Sequence, residues 1–162
     1  MLDRIYIFGE EILRKKLKPV SEITDCEKAL FDEMLKVMYK ANGLGLAANQ
    51  VGIDKLMCVI DAGGKIFKLA NPKIIKKSGK YVMEEGCLSL PDIVIKVERA
   101  KELTCRALNE NNETIEFEAT GLLCRAIQHE IDHLNGKLII DYAPFWKKVA
   151  LHKRLQGLRK KV

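Results

Sequence analysis

The sequence predicts an α+β fold, and three observations predict it. Residues 24–43 and 120–136 carry apolar side chains at helical spacing between capping and stop signals. The residues between them form short runs of strand character, several alternating apolar with polar side chains. Pro144 opens one more helical stretch. Strands in the middle, with helices before and after, indicate segregated α and β elements. At 162 residues and 48% hydrophobic, the chain (1–162) has the size of one domain and can bury a core without disulfides.

Taken in order, the opening MLDRIYIFGEEILRKK does not read as a secretory signal, because acids interrupt each apolar run. Thr24 and Glu27 form a capping-box pattern ahead of a helix with a stripe of Leu30, Phe31, Met34, Leu35 and Met38. Asn42-Gly43 stops it. GLGLAANQVG (43–52) follows, then strand-like runs at 56–61, 65–70, 73–77, 92–98 and 114–119. Asn109–Asn112 reads as the hairpin turn before the last of these. Thr120 is the expected cap of a helix running to Gly136, KLIID (137–141) the expected last strand, and 144–161 the expected basic C-terminal helix.

Charge and cysteines narrow the class. The net charge is +6, yet residues 142–162 hold seven Lys/Arg and no acid, leaving the rest at −1. Attraction to polyanions is therefore local to the tail. Five cysteines without a C-x-x-C pair argue against a disulfide framework and for a reducing compartment. No apolar run approaches the roughly 18 residues of a membrane span. These features point to a cytoplasmic protein.

The chemistry concentrates in AIQHEIDHLNG (126–136). His129 and His133, four apart on a helix, share one face and can hold a metal, with Glu130 beside the first. The third ligand decides the class. Asp141 is too near in sequence for a zinc peptidase, and Ile139 stands where an extended HExxHxxGxxH motif needs histidine. His152 lies in the basic tail. The remaining candidate is Cys87 in EEGCLSLP (84–91), whose thiolate with two imidazoles would leave a fourth position for water.

Three strings in order, GLGLAANQ, EGCLS and HEIDH, resemble the three motifs of peptide deformylases, and the similarity extends over LRKKLKPVSEI and GLLCRAIQHEIDHLNGKLIIDY. The resemblance implies antiparallel sheets packed around a central HExxH helix, with an N-terminal and a C-terminal helix. It implies removal of the formyl group from the N-terminal formyl-methionine of nascent polypeptides. The implied ligands are Cys87, His129 and His133 around one divalent metal; family resemblance favours Fe2+, while Zn2+, Ni2+ and Co2+ suit the same ligands. Glu130 is the implied general acid–base, and the Gln50 amide and the Leu88 N–H the oxyanion donors. Gly45 is carried over as part of the site. Leu44, Leu122 and Ala126 are the carried-over pocket residues, with the Arg125 stem beside them. Asp132 either orients a ligand or forms a salt bridge elsewhere, and Glu85 with Arg99 braces the Cys87 loop. The basic tail implies contact with ribosomal RNA; neither DNA nor a membrane is an expected partner. The chain departs from the family at Val94, where many bacterial members carry an Arg, and at Phe8-Gly9-Glu10. Two other readings use the same residues: a different metallohydrolase on this scaffold, suggested by Val94, and a non-catalytic module with a structural metal.

Overall fold

The computed structural model describes residue 2 and residues 4–160. The first helix, α1 (Asp25–Lys40), starts where the capping box places it. Thr24 Oγ1 accepts from the Cys26 N–H at 3.2 Å, and the Thr24 N–H donates to the Glu27 carboxylate at 3.1 Å. Phe31, Met34, Leu35 and Met38 are its buried stripe, and Asn42, at φ +53°, turns the chain out of it.

Five strands make an antiparallel sheet: β1 (Gly45–Ala47), β2 (Met57–Ala62), β3 (Lys65–Ser78), β6 (Glu102–Leu108) and β7 (Thr114–Thr120), in the order β1-β2-β3-β6-β7. A separate antiparallel hairpin joins β4 (Tyr81–Cys87) to β5 (Leu90–Arg99). The helix α2 (Gly121–Leu134) carries the histidines and packs on β1 and β2. One core cluster joins α1, α2 and the sheet through Phe31, Met34, Leu46, Val59 and Ile127. A second joins Leu13, Ile93, Ile95, Val97, Ile139 and Leu158. The helix α2 thus lies between this sheet and the β4–β5 hairpin, which it meets through the Arg125–Glu85 and Asp132–Arg99 pairs.

Several boundaries differ from the sequence reading. The runs at 65–70 and 73–77 are one strand, β3, bent by irregular pairing with β6 between Ala70 and Lys73 and between Ile74 and Lys76. β4 has no counterpart in the sequence reading, because its first four residues are exposed and it shows no apolar alternation. β6 has none either, although Leu103, Cys105 and Ala107 alternate inward. Thr120 stands at the N-cap of α2 without a side-chain cap; Gly121, at φ +55°, makes the turn from β7 instead.

Two further expectations are overturned. KLIID is not a strand: Ile139–Tyr142 is a 3-10 turn. The Asp141 carboxylate accepts from the Leu138 N–H at 2.9 Å and from Arg14, closing the turn, and Leu138, Ile139 and Ile140 are all buried rather than alternating. The tail is not one helix over 144–161 but α3 (Phe145–Ala150) and α4 (His152–Arg159), jointed at Leu151. Leu151, Leu155 and Leu158 turn toward the second core, whereas Val149 is exposed with Phe145 and Trp146. Lys161 lies outside the described residues.

Candidate metal centre

One turn of α2 separates His129 from His133, so both rings leave the same face. Their Nε2 atoms are 3.2 Å apart, and Cys87 Sγ, from the end of β4, lies 3.2 Å from His133 Nε2. The ligand atoms of the three residues all fall within 4.8 Å of one another. His152 is exposed on α4, away from this cluster.

Glu85 fixes the chemistry of His129. Its Oε1 accepts from Arg99 Nε at 2.9 Å and Arg125 Nη1 at 2.6 Å; its Oε2 accepts from Arg99 Nη2 at 2.9 Å and faces His129 Nδ1 at 3.0 Å. All four lone-pair positions of the carboxylate are thus engaged. Burial raises the Glu85 pKa, but the hydrogen bonds from Arg99 and His129 outweigh it and hold the carboxyl well below its usual range. An ionised Glu85 can only accept, so this network assigns a proton of His129 to Nδ1 and turns Nε2 toward the other two ligand atoms. Burial, reinforced by the charge facing it at His129, holds His133 well below the imidazole range and hence neutral. A thiol and two imidazole nitrogens converge here at hydrogen-bond spacing. The donor set and its carboxylate-backed histidine fit one divalent cation.

Glu130 sits beside this cluster, 3% exposed, with Oε2 lacking any hydrogen-bond partner among the described residues. Burial pushes its carboxyl up to about 7, against the opposing charge of His129. Gly45 explains how it fits: a Cβ there would overlap Glu130 Oε1. The Ala47 N–H donates to Gln50 Oε1 at 2.9 Å, which turns Nε2 toward Ser89 Oγ at 3.1 Å and Cys87 Sγ at 3.8 Å.

A cleft of about 390 Å³ opens over these groups. Gln50, Cys87, Leu88, His129 and Glu130 line its floor, and Gly43, Leu44, Gly45, Leu122, Arg125 and Ala126 its walls. Every site residue expected from the sequence faces it except His133, which lies behind. Arg125 lends its stem to the wall while its guanidinium reaches Glu85, the Val97 carbonyl and the Tyr81 carbonyl. Asp132 pairs with Arg99 at 2.6 Å, and Arg99 in turn holds Glu85, which faces His129.

Sequence reasoning gives no role to Ser89, to Asn49, whose Nδ2 donates to the His133 carbonyl at 2.6 Å, or to Tyr142. One signal does exist. Ile93, Ile95 and Val97 alternate inward along β5, which places Arg99 on the same buried face, where a guanidinium requires an anion.

Known proteins resemble this chain over most of its length. The polypeptide deformylase family model matches residues 2–149. A peptide deformylase from Halothermothrix orenii is 50% identical over 135 residues, 82% of this chain and 88% of that protein. One from Thermotoga neapolitana is 41% identical over 158 residues, 97% of this chain and 96% of the other. The crystal structure of peptide deformylase from Thermus thermophilus superposes with a TM-score of 0.95 at 32% identity, covering 100% of both chains.

Proposed function

The chain belongs to the polypeptide deformylase family, and we propose how its own residues carry out that family's reaction. It is a metal-dependent hydrolase that removes the N-formyl group from the N-terminal methionine of newly made polypeptides, releasing formate. The observation that carries the assignment of roles is the convergence of Cys87, His129 and His133 beside a buried carboxylate with a free oxygen.

Cys87, His129 and His133 would hold the metal. When bound, it supplies a Lewis acid that polarises the formyl oxygen and lowers the pKa of water. Glu130, held near neutrality by burial, takes the proton of the attacking water and returns it to the departing amine. Gln50 Nε2, pointed by the Ala47 N–H, and the Leu88 N–H donate to the developing oxyanion. Gly45 gives Glu130 its room. Leu44, Leu122, Ala126 and the Arg125 stem receive the methionine side chain. Val94, exposed on β5, puts no cation at that position, and Lys96, exposed two residues on along the same face, is the nearest one on the strand.

The ion in the cell is Fe2+ on this reading, with Zn2+, Ni2+ and Co2+ as substitutes. The protein works in the cytoplasm, and its basic tail meets ribosomal RNA. Among the described residues no helix is long and apolar enough to cross a membrane. Formate release from formyl-Met-Ala-Ser, measured beside metal content on anaerobically purified protein, tests the assignment. Absent turnover at full metal occupancy would overturn it.

A further inference from the structure

The hydrogen-bonded chain behind His129 does not end at Glu85. Arg99, 4% exposed at its side chain, gives Nε and Nη2 to Glu85 and Nη1 to Asp132 at 2.6 Å. The same Asp132 oxygen, Oδ2, accepts from the Tyr142 hydroxyl at 2.7 Å, and Arg99 Nη1 lies 3.4 Å from that hydroxyl. The Tyr142 ring is itself fixed from another side, with Lys137 Nζ 3.9 Å from its centroid and the Arg99 guanidinium carbon 5.1 Å away. Tyr142 closes the 3-10 turn that leads through Ala143 and Pro144 to α3. An unbroken series of contacts therefore runs Tyr142, Asp132, Arg99, Glu85, His129.

Each member constrains the next. Arg99 has one planar fork and two acids to meet, so its orientation is set jointly by Glu85 and Asp132. Asp132 alone would leave Nη1 able to follow a swinging carboxylate; the hydroxyl at the same oxygen removes that freedom. A fixed guanidinium fixes the carboxylate plane of Glu85, and that plane aims the His129 ring.

We propose that Tyr142 is a positioning residue for the metal centre: its hydroxyl anchors Asp132 and, through Arg99 and Glu85, aims His129 Nε2 at the ion. The proposal rests on His129 being a ligand. It ties the docking of the C-terminal segment to a ligand on α2.

The test uses Co2+, added to metal-free full-length protein without oxygen, and reads its visible absorption bands and its affinity by chelator competition. Partners in direct contact with a ligand typically change metal affinity about 10–100-fold. Asp132→Asn is expected near the lower end, and Tyr142→Phe, which keeps the ring, at about three- to tenfold, both with shifted bands. The double variant is expected to lie close to Asp132→Asn alone, because the hydroxyl acts mainly through that carboxylate at 2.7 Å, its contact with Arg99 Nη1 being longer at 3.4 Å. Lys18→Gln, whose ammonium pairs with Asp54 outside this series, is expected to match wild type. Bands and affinities unchanged in Tyr142→Phe, while Glu85→Gln alters both, would end the chain short of the hydroxyl and overturn the proposal, whether or not Asp132→Asn has an effect. If Glu85→Gln is also silent, the ligand assignment of His129 falls with it.

Discussion

Glu130 and Gly45 make one unit at the scale of single residues. A carboxylate that is fully buried with a free oxygen has no structural reason to be there, and its raised pKa suits proton transfer near neutral pH. Glu130→Gln is expected to keep the metal and lose about 10²–10⁴-fold in turnover, the usual worth of general acid–base catalysis. A variant with wild-type kcat on formyl-Met-Ala-Ser would remove Glu130 from the mechanism. Gly45→Ala sharpens the point, because its methyl would overlap Glu130 Oε1 and force the carboxylate aside. It is expected to lower kcat at unchanged metal content, whereas Gly157→Ala on α4, whose added Cβ meets nothing within 4 Å, serves as a control for glycine replacement. Cys87→Ala, His129→Ala and His133→Ala should instead lose the ion itself, since two ligands hold a divalent metal poorly. Full occupancy by elemental analysis in all three would refute the ligand set.

The elements differ in how much the sequence discloses of them. α1 is legible because its signals are local: a capping box, a five-residue stripe and an Asn-Gly stop lie within twenty residues. The two histidines are legible for the same reason, being one helical turn apart. Their support is legible only in part: the family resemblance pairs Glu85 with Arg99, and nothing in the sequence joins Asn49 or Tyr142 to them. Glu85, Arg99, Asn49 and Tyr142 come from four elements and meet only through the packing of the β4–β5 hairpin against α2 and the turn after it. KLIID misleads because a run of buried apolar residues reads equally as a strand or as a turn wedged into a core. The cap of α1 also carries a pH signature. Hydrogen bonds from Lys55, then Thr24, hold Glu27 at about 2 against an ordinary 4.5. A depressed folded pKa means that the unfolded chain binds the extra proton. The stabilisation is therefore whole above about 4.5 and lost as pH falls toward 2. The melting-temperature gap between wild type and Glu27→Gln should stay constant from about pH 7 to 5 and narrow below that window. A gap independent of pH would show that the carboxylate contributes nothing as an ion. Thr24→Ala, which removes the cap, should cost about 0.5–2 kcal/mol by denaturant unfolding.

At the scale of the whole molecule, the tail does two things that a single basic helix would not. Its apolar side enters the second core, where Leu158 is buried and Arg159 stacks over Phe8 at 5.2 Å. Its other side presents Lys148, Lys153 and Arg154 to solvent, beside the exposed Phe145 and Trp146. Cutting the chain before α4 would therefore uncover Leu13 and Ile139 as well as remove charge, and the two effects would be confounded. Substituting the exposed cations alone separates them. Lys148→Gln/Lys153→Gln/Arg154→Gln is expected to keep the melting temperature and formyl-Met-Ala-Ser turnover, because none of the three lines the cleft. If the tail meets ribosomal RNA, the triple variant should co-sediment with ribosomes more weakly. Its binding should also depend less steeply on salt, since each phosphate left without its cation releases roughly one counterion fewer. Leu158→Ala should do the opposite, lowering the melting temperature by loss of buried volume while leaving the salt slope in place. Co-sedimentation of the triple variant equal to wild type across the salt range would leave α4 as a structural brace alone, with its cations serving solubility.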